Sequence, residues 1–569
     1  MSVKDIKSIP EDSLADYSFQ PPSRLKNIID SFKRAEPKQD LDEQLESGEP
    51  VFQSGSPLKK NLKTRQLQMI SIGGAIGTGL FVGSGLALST GGPAALLIGW
   101  GIVSTFLYCT MQAMAELVAI FPISGSFATY AIRFIEPSWG FAIGWNYAIF
   151  WVIVLPLELV AASLTINYWG STINPDVWVA IFYVVIIGLN LCGNKGFAEA
   201  EFIFAIIKIV SIIGFNILAI VLICGGAGKQ NTFIGGKYWH NPGAFAHGFK
   251  GVVTVLITAT YSLAGTELVG LTVAEAEGNP RIVLPKAIKQ VFYRIVVFYL
   301  FTLTLVGFLV PYDSDELLSS LSTISASPFV IAIKNGGVHA LPSIFNVVIL
   351  IALLSIANAS VYGFLRTIQS LGEQGLAPRI CAYVDRQGRP LVGFAIQFIV
   401  GCLSFVAASP KEGVVFSWLM ALSGLSTLFT WFLVCMAHVR FRMAMSHQGR
   451  SLTELPYKSI TGFWGSVYSC ILLFVVLCLQ FWISLFPLHK KPDVEYFFQN
   501  YLGAVVVLVF YVGHKLYSWN LRIVIPVSEL DIDTGRRDLD QEKLQQELAE
   551  ERDIYSKLPW YLKVKEFFF

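Results

Sequence analysis

Three ionisable residues stand in apolar surroundings where a charge is costly. Glu158 follows Leu155-Pro156-Leu157, Lys208 lies in Phe204-Ala205-Ile206-Ile207-Lys208-Ile209-Val210, and Glu267 follows Ala264-Gly265-Thr266. A charge at the middle of a bilayer costs about 3 kcal/mol even on lenient scales, so each needs a partner or a task. Glu158 can take up and release a proton, or it can be fixed in a buried hydrogen-bond network. Lys208 requires an acceptor, unless its long stem snorkels to an interface. Glu267 can gate through its protonation state, and it can also sit against the positive end of a helix. Both roles are compatible.

A second kind of chemistry lies in the backbone. The run Ile72-Gly73-Gly74-Ala75-Ile76-Gly77-Thr78-Gly79-Leu80-Phe81-Val82-Gly83-Ser84-Gly85 is glycine-dense inside an apolar stretch. Each glycine in a helix interior costs about 1 kcal/mol relative to alanine. Gly73 and Gly83 fit close helix packing. Gly77-Thr78-Gly79 fits it poorly, because neighbouring glycines point in different directions, and a broken helix is the better account. A second break is expected at Ala259-Thr260-Tyr261-Ser262-Leu263-Ala264-Gly265-Thr266-Glu267. Unpaired backbone at membrane depth is tolerated where it lines a cavity or meets a ligand. Free N–H groups of a half-helix bind carboxylates and exposed carbonyls bind cations, so the pair of breaks points to a carrier for a small zwitterion or anion.

Membrane helices must position these groups. Of 569 residues, 54% are hydrophobic and only 14% charged, against about 25% charged in soluble chains. That excludes an ordinary soluble or disordered protein, and a net charge of +2 gives no footprint for nucleic acid. The eight cysteines form no C-x-x-C pair, so neither a disulfide framework nor a metal site is expected. No Walker A run appears, and no cofactor is expected. Twelve stretches near the ~20 residues needed to cross a bilayer follow one another: 67–89, 93–121, 140–166, 177–191, 202–224, 251–274, 291–310, 341–371, 391–408, 414–437, 464–486 and 502–519. The fourth is short and is expected to extend at both ends. Loop arginines crowd the side shared with the tails, which puts both termini in the cytosol. The breaks fall in spans one and six. This predicts an all-α integral membrane protein with twelve transmembrane helices in a five-plus-five inverted repeat: residues 66–224 and 249–437, then 464–519. Polar tails at 1–65 and 520–569 complete the chain.

The ordered motifs resemble those of fungal amino-acid permeases of the amino acid–polyamine–organocation superfamily, most closely the general amino-acid permeases. The likeness is carried by 67–81, by Gly91-Gly92-Pro93 through Ala115-Glu116 to Phe121-Pro122, by Gly265-Thr266-Glu267-Leu268, by Glu275-Ala276-Glu277-Gly278-Asn279-Pro280-Arg281 and by Asp531-Ile532-Asp533-Thr534-Gly535-Arg536-Arg537. It implies a LeuT-type fold and amino-acid import with protons across the plasma membrane, without enzymatic activity. A narrow-range permease and an amino-acid-sensing receptor are the alternatives; binding without accumulation would mark the receptor. The resemblance implies that N–H groups around Gly77, Thr78 and Gly79 hold the substrate carboxylate. Carbonyls of Ala75, Tyr261, Ser262 and Ala264 hold the ammonium, and Tyr261 takes the place of a gating aromatic. It also implies that the Lys208 ammonium replaces the cation of sodium-coupled relatives. Lys4 and Lys7 resemble ubiquitin acceptors, which implies a ubiquitin ligase or adaptor as partner of the tails.

Secondary candidates complete the reading. Glu116 is expected to be structurally paired at the inner end of span two. Ser355, Asn358 and Arg366 of span eight are expected at the site or its inner gate. Asn358-Ala359-Ser360 spells a glycosylation motif that a membrane position forbids. Phe150, Trp151, Ser423, Ser426 and Thr427 are weaker candidates for the side-chain pocket. His438 and His447 are expected to be solvated, and 538–552 to form a short charged helix.

Overall fold

The computed structural model describes residues 33–34, 69, 74, 76–121, 125–226, 233–268, 270, 288, 291, 293–319, 327–337, 340–408, 412–488, 491–520, 522–534, 536, 550 and 553–560. Ala75, Lys4, Lys7, the Glu275–Arg281 motif and most of 538–552 lie outside them.

A π-helical turn, Gly79–Gly83, runs into α1, Ser84–Ile120. Gly92 (φ 82, ψ 171) interrupts α1 just before Pro93, so the end of span one and all of span two share this element. A Cβ on Gly92 would stand 2.7 Å from the Ala244 carbonyl oxygen. That same carbonyl accepts the Ala94 N–H at 2.9 Å. The approach to span six is thereby pinned to the hinge between spans one and two.

A short helix α2, Ser126–Phe134, precedes α3, Pro137–Ile166. Pro137 suits the first helical position, where no N–H is needed. The Glu136 side chain caps Ser138 N–H at 3.0 Å and pairs with Lys515 at 2.8 Å. There follow α4 (Pro175–Leu191), α5 (Gly193–Ile223), α6 (Gly248–Leu263), a π-helical stretch Ile295–Phe301 leading into α7 (Thr302–Leu309), and α8 (Leu341–Glu373). Further along the chain come α9 (Leu391–Gly401), α10 (Glu412–His447), α11 (Gly462–Leu485) and α12 (Val494–Ser518). Among the described residues, seven helices are long and apolar enough to cross a bilayer and four more are shorter and apolar. With the first long one folded at Gly92, the twelve expected spans are accounted for. The fourth extends at its N-terminal end only. Pro175 and the Asn174 cap set its start, and Gly193 at φ 77 turns the chain directly into α5.

The core runs down the middle of the bundle. There α3 packs most extensively on α8, and α1 on α6. Buried α1 and α3 side chains such as Trp100, Phe106, Tyr147 and Trp151 fill this seam. The rows Ile203, Val210, Ile217 on α5 and Leu508, Val509 on α12 are exposed, as expected of surfaces that meet lipid. The chain is a multi-pass membrane protein.

Candidate functional site

The two interrupted helices meet at their breaks. Ile76 and Gly77 are non-helical before the chain resumes at Thr78 and Gly79. The Gly77 carbonyl starts the new half-helix by accepting N–H groups of Leu80 (3.1 Å) and Phe81 (3.0 Å). In the sixth span, α6 ends at Leu263. Ala264 turns extended (ψ 156) and Gly265 takes φ 85. Helical pairing restarts with Leu268 N–H on the Gly265 carbonyl at 3.2 Å.

Glycine is what lets these segments touch. A Cβ on Gly79 would stand 2.3 Å from the Ser262 Cα, and one on Gly265 would stand 2.8 Å from the Gly74 carbonyl oxygen. The dense glycine run thus serves break against break, while Gly83 packs against Thr258 in the ordinary manner.

Glu158 is buried on α3 and joins the two breaks. One carboxylate oxygen accepts the Tyr261 hydroxyl at 2.8 Å and the other accepts the Thr78 hydroxyl. Glu267 closes the second break onto itself. It accepts Gly265 N–H (3.2 Å), the Tyr147 hydroxyl (3.4 Å) and the Trp431 indole N–H (3.3 Å). Its contact with the Gly265 N–H is the interaction expected of an acid at a half-helix N-terminus. Trp100 donates to the Ser262 hydroxyl at 3.3 Å, and the Tyr299 hydroxyl donates to the Ser262 carbonyl at 2.9 Å.

Lys208 is fully buried. Its ammonium donates to the Ile76 carbonyl at 3.2 Å, beside the first break, and to Ser355 Oγ at 2.7 Å. Glu201 lies 3.7 Å away. Snorkelling is therefore not what this lysine does. Ser355 and Asn358 both bind Glu201: Ser355 donates to it at 2.6 Å and Asn358 at 3.5 Å, while Asn190 donates to Asn358 Oδ1 at 2.9 Å. Arg366 reaches the Gly388 carbonyl at 3.3 Å, away from the breaks.

Of the weaker pocket candidates, Trp151 lies against both Gly265 and Gly363. Ser426 donates to the Asn146 carbonyl at 3.1 Å, and Thr427 to the Ser423 carbonyl at 3.1 Å. These two hydroxyls serve helix pairing and their own helix.

Two buried charges were not expected. Glu201 stands one residue outside the apolar run 202–224, but α5 begins at Gly193, well before Phe202. The seven-residue spacing of Glu201 and Lys208, two helical turns, was the available signal. Arg294, buried beside the sixth-span break, donates to the Thr266 hydroxyl. His438 corrects the reading of a solvated residue. It is fully buried, 3.0 Å from Glu116 and 2.8 Å from Ser466 Oγ. Glu116 also binds Arg442 at 2.6 Å and Ser459 N–H at 2.8 Å, the structural pairing expected of it. His447 is exposed.

Two interrupted helices clasped around a buried carboxylate, inside a twelve-span bundle, define a membrane carrier of LeuT-type architecture rather than an enzyme. The chain belongs to the amino acid permease family, whose profile matches residues 66–523. Amino-acid permease GAP6 of Candida albicans is 58% identical over 553 residues, 96% of each chain. General amino-acid permease GAP1 of Saccharomyces cerevisiae is 51% identical over 551 residues, 95% of this chain and 91% of that one. The crystal structure of a mutant Eremococcus coleocola manganese transporter shares the fold with a TM-score of 0.51 and 13% identity, covering 80% of this chain and 93% of its own.

Proposed function

We propose that this protein imports amino acids together with protons across the plasma membrane, over a broad substrate range, with both tails in the cytosol. Family membership supports the substrate class, and the likeness to a general amino-acid permease supports the breadth. In this reading the repeats are 66–224 and 249–437, and a ubiquitin ligase or adaptor acts on the tails.

The observation that carries the proposal is the Glu158 carboxylate shared between Thr78 of the first break and Tyr261 of the second. Both hydroxyls donate to an ionised carboxylate, which can only accept. A proton on Glu158 turns one accepted bond into a donated one. The Thr78 or the Tyr261 hydroxyl must then turn from donor to acceptor. Proton occupancy is thereby tied to the two segments that bind substrate.

The N–H groups of Gly77, Thr78 and Gly79 receive the substrate carboxylate, a role suited to a half-helix N-terminus. Carbonyls of Ala75, Tyr261, Ser262 and Ala264 receive the ammonium. The Ser262 carbonyl already takes the Tyr299 hydroxyl, and its second lone pair can accept an ammonium. Backbone recognition of the shared amino-acid core leaves the side chain unread, which favours breadth. Lys208 and Glu267 complete the coupling and gating set.

The test is a competition panel of the common amino acids in permease-deficient cells, run with and without a protonophore. Broad competition and loss of accumulation with protonophore are expected. Competition by one side-chain class alone removes the breadth, and accumulation that survives the protonophore removes proton symport.

A further inference from the structure

We propose that Glu201 is the residue that takes the transported proton from Lys208 and passes it toward the cytosol. The inference rests on the proton-coupled reading above. It assigns a residue that neither the breaks nor Glu158 account for.

The geometry is specific. Glu201 and Lys208 are both fully buried on α5, two turns apart. Side chains on a helix lean toward its N-terminus, so the lysine stem reaches back toward Glu201, and the nitrogen and carboxylate oxygen lie 3.7 Å apart. Ser355 of α8 stands between them. Its Oγ accepts from Lys208 at 2.7 Å and donates to Glu201 Oε1 at 2.6 Å. On the other side, Lys208 touches the Ile76 carbonyl of the first break at 3.2 Å. A continuous hydrogen-bonded line thus runs from the substrate site to Glu201.

A proton can move along the part of that line from Lys208 to Glu201 with all atoms balanced; the Ile76 carbonyl can only accept and anchors the ammonium. Lys208 gives one proton to Ser355 Oγ while Ser355 gives its own to Glu201. The products are a neutral amine, an unchanged hydroxyl and a carboxylic acid. The ion pair and the neutral pair carry the same net charge, so the transfer exposes no lone charge in a buried site. Among the described residues, Glu158 from α3 and Arg294 from the chain before α7 also act on the lysine through their charge. Asn358 Nδ2 holds the second oxygen of Glu201 at 3.5 Å, and Asn190 holds Asn358. Asn190 also walls a cavity shared with Gly193, Phe197, Arg366, Gly388 and Arg389. In the proposed topology that cavity lies on the cytosolic side, beside the loops joining α4 to α5 and α8 to α9.

Net import must return an empty, deprotonated carrier, whereas exchange of internal for external amino acid need not release the proton. Glu201→Gln keeps an acceptor for Ser355 but cannot take the proton. Net accumulation and exchange of a radiolabelled amino acid into preloaded cells are therefore measured side by side, with substrate-induced proton influx, for wild type, E201Q and S355A at matched surface abundance. The expected result is a tenfold or greater loss of net accumulation in E201Q with less than a threefold loss of exchange, and the same split in S355A. Retained accumulation and proton influx in E201Q overturn the proposal. Equal loss of exchange and net uptake in the variants overturns it too, since that marks a purely structural pair. If E201Q fails to reach the surface, S355A decides by the same criterion. A wild type that imports amino acid without proton influx sinks the proton-coupled reading itself, independently of either variant.

Discussion

Tyr261 donates its hydroxyl to Glu158 at 2.8 Å, across helices more than a hundred residues apart in sequence. With Thr78 on the second oxygen, the buried carboxylate clasps both interrupted spans. Glu158→Gln keeps the size and one acceptor oxygen but cannot ionise. It is expected to cut proton-coupled uptake at least tenfold and to flatten its dependence on external pH. Uptake rates from pH 4 to 8 check this, and a wild-type pH profile in E158Q contradicts it.

Gly79 makes a different claim, about space. Its Cβ position stands 2.3 Å from the Ser262 Cα, which is backbone and cannot rotate away, while a Cβ on Gly101 meets nothing within 4 Å. Overpacking of this kind costs about 1–3 kcal/mol. Gly79→Ala should abolish uptake or block delivery to the membrane, while Gly101→Ala leaves both within twofold of wild type. Uptake and surface labelling of the pair read the difference.

The cluster of Glu116, His438 and Arg442 holds α1 to α10 and to the loop before α11 through Ser459. Removing one partner strands buried charge, at a cost of about 3–5 kcal/mol. Glu116→Ala is expected to lower the thermal unfolding midpoint of detergent-solubilised protein by several degrees. A midpoint within one degree of wild type would contradict the assigned role.

On the bundle end that carries α2, Asp531 pairs with Arg133 at 3.2 Å, and Leu530 and Ile532 are buried beside it. Burial pushes the Asp531 carboxyl up, but hydrogen bonds from Thr534 and Asp533 and the Arg133 charge outweigh it and hold it down at about 2. A depressed carboxylate stabilises the fold fully above its unfolded value of about 3.9 and loses that contribution as pH falls toward 2. Protease sensitivity of residues 522–534 should therefore be constant from pH 5 to 8 in wild type and raised in Asp531→Asn.

Much of this was legible in the residues. Glycine at 77, 79 and 265 marked the breaks because a helix interior gains nothing from such a run. Glu158, Lys208 and Glu267 were visible as charges in apolar surroundings. Glu201 was not, since it stands one residue outside the apolar run 202–224, whereas α5 begins at Gly193 and carries it. His438 was missed because it stands just past the apolar run 414–437, near an inner loop. The partners that bury it, Glu116 and Ser466, come from distant helices. Pairings of that sort are set by packing and leave no local pattern.

The central claim is that amino-acid entry and proton entry are one event. The direct measurement is simultaneous recording of radiolabelled amino-acid uptake and external alkalinisation in permease-deficient cells expressing this protein. The account predicts proton influx in fixed proportion to amino-acid influx, both abolished by a protonophore and both strongly reduced in E158Q. Amino-acid accumulation without accompanying proton influx would contradict it.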